Sequence, residues 1–568
     1  MDTAIGTREN RERLAAGWAA PWRVVHGPAT RPPGPLRPST LLGAVPNEAE
    51  GREPRPAPNG AESRISAFAP APAPARRRLA CLRIATVLAA AALLTAACGQ
   101  TPPVGLSQLH ACTSDEGPAD ALCGTVKVFE DRSTRAGRTI SLAIVVLPAL
   151  SDDHRDDPLV FLAGGPGQGA AKMAPLVRTA FSRMQRHRDI VLVDQRGTGR
   201  SHPLDCEPKD DSLRSFLADD EPALARLREC LATYDADPRL YTTSIAMDDL
   251  EDVRLFLGYP TVNLYGGSYG TRAALVYLRQ HPASVRAVVL DGVAPPDMRL
   301  PLFAARDAGR ALDQVLVDCE ADAGCNAAYP GLRAKVAEML TRLERSPAQV
   351  TLVHPLAGTA ETVTMTPRAV AGALLAGLYA PATASMVPLL LERATRNDFQ
   401  SLIALALAGD QSDNLSIGMQ LSVLCSEDAS QVDEDAVTRA SSGSIFGRHL
   451  ASGQLAACGV WPRGSVPPGY FDPVVSDVPA LVLSGDLDPV TPPAWGESVV
   501  RHLRNGRHFV ATGTGHGVAT TPCGVRVVDE FLEKGSAAHL DTSCLTDPRR
   551  PPFFLKPSGP DPSARPAS

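Results

Sequence analysis

Gly266-Gly267-Ser268-Tyr269-Gly270 separates two runs of different character. Before it stands Val262-Asn263-Leu264-Tyr265, short, apolar and β-prone; after it, Thr271 to Gln280 is rich in Ala and Leu and reads as a helix. Glycines around the serine permit a tight backbone turn that lifts the hydroxyl into the open beside the helix N-terminus. A Gly-x-Ser-x-Gly placed between strand and helix is the setting in which a serine works as a nucleophile.

A serine hydroxyl is a weak nucleophile unless a base takes its proton and a third group orients that base. In the α/β-hydrolase arrangement the acid and the histidine follow the serine in that chain order. Ala480 to Ser484 reads as a buried strand running into Gly485-Asp486-Leu487-Asp488-Pro489. His508 to Ala511 reads as a second strand running into Gly513-Thr514-Gly515-His516-Gly517. Both groups fall on loops at strand ends, where an open α/β sheet carries its chemistry. Asp488 is the preferred acid, because it lies further into its loop and Pro489 helps to fix the turn. Asp486 is the alternative, and acids beside Gly and Pro also suit a plain turn. The glycines flanking His516 give its ring no apolar wall, which fits a reactive histidine.

An acyl-transfer site also needs backbone N–H groups aimed at the developing oxyanion. Tyr269, directly after the serine, supplies one; the second is expected from a loop after an earlier strand. Leu159 to Leu162 followed by Ala163-Gly164-Gly165-Pro166-Gly167 fits that place, with Gly165 as the donor and Gly164 as the alternative. A competing reading takes Gly165 to Ala170 as a dinucleotide fingerprint, with Asp189 or Asp194 as the ribose ligand. The proline in the turn, the lack of an amphipathic helix starting there and the serine constellation elsewhere count against it. No His-Glu-x-x-His, Walker loop or metal-ligand cluster is seen, so neither metal nor cofactor is expected.

Ala163 to Gly167, Asp194-Gln195-Arg196-Gly197-Thr198-Gly199, Gly266 to Gly270, Asp291-Gly292-Val293-Ala294-Pro295-Pro296 and the segment holding Asp488 and His516 recur in one order. In this the chain resembles the proline iminopeptidase and tripeptidyl aminopeptidase group of serine exopeptidases, over about residues 105 to 545. Ala163 departs from it, since that group often has histidine there; the backbone donor is kept but a bracing side chain is lost. The resemblance implies release of residues or short peptides from free N-termini, often at proline. The residues by themselves stop at an acyl-transfer hydrolase.

A chain of 568 residues is long enough for a large α/β core with an insertion. Overall charge is −6; residues 1–97 hold 13 basic and seven acidic side chains, leaving −12 for the rest. So acidic a body is poorly suited to neutralising phosphates, and no nucleic-acid partner is expected. Residues 1–75, rich in Pro, Ala, Gly and Arg without apolar periodicity, read as a disordered extension or a misassigned start. Residues 76–97 read as an export signal: Arg76-Arg77-Arg78 and Arg83 precede an apolar run too short to span a membrane comfortably. It ends Leu94-Thr95-Ala96-Ala97-Cys98, resembling a bacterial lipobox, with Thr95 where leucine is usual. Cys98 is therefore the expected lipid attachment point, placing the protein on the membrane of a bacterial cell envelope; an ordinary secretory signal is the alternative.

Setting aside Cys81 and Cys98, the other ten cysteines fall into five neighbouring couples and, in an exported chain, are expected to pair sequentially as disulfides. Thr139–Leu147, Leu159–Leu162, Ile190–Val193, Val262–Tyr265 and Val285–Leu290 read as strands with helices between them, a mainly parallel sheet with helices on both faces. The expected organisation is an α/β-hydrolase core over residues 98–296 and 471–545, interrupted by an inserted helical lid domain at 297–470. Residues 546–568 read as a Pro-rich disordered tail. Within the lid, Glu427 of Cys425-Ser426-Glu427-Asp428 is the carboxylate expected to bind a peptide substrate's free amine, as acidic lid residues do in the resembled group; a solvated acid beside a disulfide is the alternative. A carboxylesterase with the same triad and a non-catalytic surface binding protein are the competing functions.

Overall fold

The computed structural model describes residues 105–206, 212–217, 220–408, 414–547 and 550–560. The first 75 residues, the export-signal segment and Cys98 lie outside the described residues. Nine strands make one sheet: β1 (His110–Ala111), β2 (Leu122–Phe129), β3 (Thr139–Leu147), β4 (Arg155–Leu162), β5 (Arg188–Val193), β6 (Val262–Gly267), β7 (Val285–Asp291), and, beyond an insert that holds β8 and β9, β10 (Ala480–Gly485) and β11 (Gly506–Ala511). Their order is β1-β2-β3-β5-β4-β6-β7-β10-β11. From β5 to β11 all neighbours are parallel, while β1, β2 and β3 join antiparallel at one edge.

The central strands are near-continuous apolar runs because both sheet faces are covered. Along β4, Val160 and Leu162 join one core while Leu159 and Phe161 join the other, as the two-residue period of a strand requires. Residues of the helices Thr243–Leu257 and Tyr269–Gln280 pack in the first core, and those of Ala174–Ala180 and Pro522–Lys534 in the second. Five disulfides join the cysteines in sequential couples: 112–123, 206–230, 319–325, 425–458 and 523–544.

Between β7 and β10 lies an insert with a core of its own, built on helices such as Ala304–Ala321, Pro367–Leu378 and Val387–Thr395. It is not wholly helical. Ala348–Val353 and Ala360–Met365 form an antiparallel hairpin, β8 and β9, that turns Leu352, Val363 and Met365 inward. Alternating β-branched and exposed residues account for it, a period that favours strand over helix. The chain's end also differs from its compositional reading. Phe553 is buried in the insert's core, the Phe554 N–H donates to the Ser385 carbonyl at 3.1 Å, and Tyr329 Oη donates to the Phe554 carbonyl at 2.8 Å.

Insert and sheet are joined by a buried ion pair. Arg272, on the helix after Ser268, donates through Nη1 and Nη2 to Asp428 at 2.8 and 3.1 Å, and both side chains are fully buried. Asp428 ends a π-helical turn, Leu424–Asp428, beside the Cys425–Cys458 bridge. Such a pair contributes little net stability, but removing one partner strands the other charge in a dry site. Asp428→Ala is therefore expected to lower the free energy of unfolding by about 3–5 kcal/mol. Replacing both partners together, Arg272→Met with Asp428→Leu, should recover much of that loss; urea unfolding of the oxidised protein measures both.

Candidate active site

Ser268 occupies the corner between β6 and its helix with φ 56° and ψ −125°, a backbone region that a side-chain-bearing residue enters only under strain. Close approach explains the neighbouring glycines. A Cβ at Gly266 would lie 2.3 Å from the Gly270 carbonyl oxygen, and one at Gly270 would lie 2.1 Å from that of Leu162. The Ser268 N–H donates to the Asp291 carbonyl at the end of β7, 2.9 Å away, so the turn is held from the adjacent strand.

Of the two acids at the end of β10, Asp488 reaches the histidine. Its Oδ2 lies 2.8 Å from His516 Nδ1. The carboxylate is fully buried and also accepts from the N–H groups of Val490 and Thr491, each at 2.8 Å, and from Thr491 Oγ1 at 2.8 Å. Asp486 points elsewhere and accepts from the Thr514 N–H at 3.3 Å. Burial opposes a charged His516 ring, but the Asp488 charge and hydrogen bond, with Asp291 behind, outweigh it and hold the ring above the ordinary histidine value. Burial likewise opposes the Asp488 carboxylate, yet His516 and the two N–H donors bring it below its usual range.

Ser268, His516, Gly164 and Gly165 line one cavity of about 400 Å³. The Gly164 N–H is taken by Gln168 Oε1 at 3.2 Å. The N–H of Gly165 has no acceptor among the described residues, and Tyr269 is the first residue of its helix, where the N–H has no partner within the helix. Gly165 adopts φ +105°, open to glycine alone at little cost. With the Gly164 N–H engaged by Gln168, Gly165 and Tyr269 are the candidate donors for an oxyanion.

Glu427 is not brought to this cavity. It is fully buried and accepts from the Thr243 N–H and Oγ1 at 2.6 and 2.9 Å and from Tyr470 Oη, with Arg272 3.5 Å away. Fully buried and with both oxygens engaged by the protein, it presents no surface to a substrate ammonium in this cavity. The acids read as ribose ligands are engaged too. Asp194 accepts from the N–H groups of Ala171 and Arg200, and Asp189 from the Ala149 N–H and Tyr259 Oη. Among the described residues no group of His, Cys, Asp and Glu side chains is placed to hold a metal.

Four positioning groups escape a reading by motif. Thr491 Oγ1 bridges Asp488 and His516, lying 3.1 Å from Nδ1. Asp291 accepts through its carboxylate from the N–H groups of Val518 and Ala519 and from Tyr265 Oη. Arg310 of the insert donates to the carbonyls of Asp486 and Asp488, and the Tyr379 carbonyl accepts the His516 N–H at 2.8 Å. Asp291 stands in one of the recurring segments, at the C-terminal end of a strand; Thr491 lies three residues from Asp488, while Arg310 and Tyr379 meet partners remote in sequence.

The pattern of the α/β hydrolase fold matches residues 157–317 and that of TAP-like proteins residues 443–544. The chain has the α/β-hydrolase fold, and its relatives include named peptidases. It is 28% identical over 461 residues to serine protease Hip1 of Mycobacterium tuberculosis, covering 73% of this chain and 85% of that protein. It is 34% identical over 136 residues to the proline iminopeptidase of Neisseria gonorrhoeae, which covers 24% and 32% of the two chains. To the tripeptidyl aminopeptidase of Streptomyces coelicolor it is 29% identical over 203 residues, covering 33% and 37%. With this fold and this serine site it is a serine hydrolase.

The His516–Asp488 contact sets the expected pH dependence. A base must be neutral, so activity rises as pH passes the His516 pKa, and the Asp488 charge places that limb above the ordinary histidine range. Asp488→Asn should move the acid limb of kcat/KM to lower pH while kcat falls by about 10⁴. Thr491→Val should lower kcat with little change in KM, and Thr491→Ser should restore it; pH–rate profiles of the three variants read both effects.

Proposed function

We propose that this chain is an exported aminopeptidase whose acyl-enzyme forms on Ser268. His516 takes the Ser268 Oγ proton as that oxygen attacks the carbonyl carbon, and Asp488 steadies the resulting imidazolium. The oxyanion is received by the N–H groups of Gly165 and Tyr269. As the C–N bond breaks, His516 returns the proton to the leaving nitrogen; water then repeats the sequence and frees the acid. The observation carrying this reading is the strained Ser268 turn sharing one cavity with a histidine held at 2.8 Å by a buried carboxylate. Release from free N-termini, with proline among the accepted residues, rests on the likeness to a tripeptidyl aminopeptidase and a proline iminopeptidase.

Export and a lipid anchor on Cys98 are part of the same proposal. Five sequential disulfides suit an oxidising compartment. No helix among the described residues is long and apolar enough to cross a membrane. In a diderm host the mature chain is expected to begin at Cys98 and to enter the detergent phase, and Cys98→Ser to abolish the lipid; a soluble chain starting elsewhere would refute the anchor.

An esterase is the second reading, favoured by the closed state of Glu427 and by the apolar walls around Ser268. Free and N-acetylated peptidyl amides assayed beside simple esters separate the two. The aminopeptidase cleaves free-amine amides at least tenfold better than blocked ones, whereas equal rates on both, with fast ester cleavage, favour the esterase. Ser268→Ala and His516→Ala should each reduce turnover by several orders of magnitude on every substrate cleaved, with the fold retained by circular dichroism.

A further inference from the structure

The cavity beside Ser268 has an apolar end that the proposed chemistry leaves unused. Its lining includes Met173, Leu176 and Val177 and the rings of Phe161, Phe181 and Tyr265. The three rings pack together, Phe161 against Tyr265 at 5.3 Å with planes 17° apart and Phe181 edge-on to Tyr265 at 4.9 Å. Several polar groups of the lining are occupied from within the protein. Tyr265 Oη donates to Asp291, whose carboxylate also holds two backbone N–H groups, and Gln168 Oε1 accepts from Gly164. A charged group entering here would lose its water and meet no free counter-charge on the described walls, while an apolar one would lose only unfavourable hydration.

We infer that this end of the cavity is the acyl side-chain subsite, and that it selects substrates whose residue at the cleavage point is bulky and apolar, aromatic or branched aliphatic, over proline, alanine or a charged residue. The inference rests on Ser268 being the nucleophile. With the acyl carbonyl oxygen against the N–H groups of Gly165 and Tyr269, the acyl chain extends into the cavity that Gly164, Gly267 and these apolar side chains line together. The whole cavity holds about 400 Å³, in the range of pockets that enclose a ligand, and the three side-chain carbons of proline meet less of its apolar lining than an aromatic or branched chain does. Each unfilled methylene forfeits binding in the transition state, and discrimination per methylene in apolar pockets runs from about 10- to 200-fold.

The test uses two series that differ only at the cleavage-point residue, as Phe, Leu, Pro, Ala, Lys or Glu: tripeptidyl fluorogenic amides with free N-termini, and N-acylated p-nitrophenyl esters. Phe and Leu are expected to exceed Ala and Pro by about tenfold or more in kcat/KM, with Lys and Glu lowest. Leu176 is 55% exposed at the mouth, so a charge there is tolerated by the fold. Leu176→Glu should raise the Lys substrate at least tenfold relative to Phe, and Met173→Trp, which narrows the cavity, should depress Phe while sparing Ala. If the esters show this ranking while the amides are not cleaved, the subsite stands and the peptidase reading falls. If amides or esters are cleaved without apolar preference, or neither variant shifts the ranking, the subsite is overturned whatever becomes of the peptidase reading.

Discussion

Asp291 is where the two halves of the site meet. Its backbone carbonyl takes the Ser268 N–H and its carboxylate takes those of Val518 and Ala519, two and three residues beyond His516. One residue at the end of β7 thus fixes the nucleophile turn on one side and the histidine loop on the other. A carboxylate is costly to bury, and burial pushes this one upward; two N–H groups and the Tyr265 hydroxyl work the other way. The sheet makes this arrangement available because β6, β7 and β10 are parallel neighbours that end together, delivering serine, Asp291 and Asp488 to one edge. A shift of one residue in β7 would turn Asp291 to the opposite face and separate the two loops.

The insert belongs to this machinery as much as the sheet does. Arg310 holds the carbonyls of the Asp488 loop, and Tyr379 accepts the His516 N–H while setting its ring edge-on to the imidazole at 5.2 Å. Asp428 neutralises Arg272 on the nucleophile helix. These contacts involve the acid loop, the base loop and the nucleophile's helix, and several are to backbone atoms, which hold loop geometry without demanding a particular side chain in return. An insert tied in this way braces the reacting groups; a cover that swings clear of them would break the hydrogen bond to His516 each time it opened.

How much was legible in the sequence follows from the same distinction. Ser268, Asp488 and His516 stood out because they sit where strands end and glycines gather, and glycines at 266 and 270 are forced by carbonyl oxygens little more than 2 Å from where a Cβ would stand. Such local constraints leave a local mark. The surroundings of Glu427 were not legible, because Thr243 and Tyr470 come from 184 and 43 residues away and nothing near Cys425 reveals that they close over it. The β8–β9 hairpin was hidden by helices on either side, and Phe553 by the prolines around it. Arg310 and Tyr379 act through contacts between segments distant in sequence, for which a single chain carries no signature, and Thr491 is an ordinary threonine three residues past Asp488 until the fold brings His516 to it.

The closed state of Glu427 bears on how an exopeptidase of this build would work. A carboxylate held by two donors from Thr243 and one from Tyr470, beside a paired arginine, is stabilised where it is; opening it to a substrate amine would leave those donors unmet, at a cost of about 1–3 kcal/mol for each buried group. The walls beside Ser268 are apolar, so the binding energy they supply comes from the side chain at the cleavage point rather than from a terminal charge. A substrate whose free amine lies several residues from the scissile bond satisfies both conditions, since its ammonium stays outside this cavity. That geometry suits removal of short peptides better than removal of single residues.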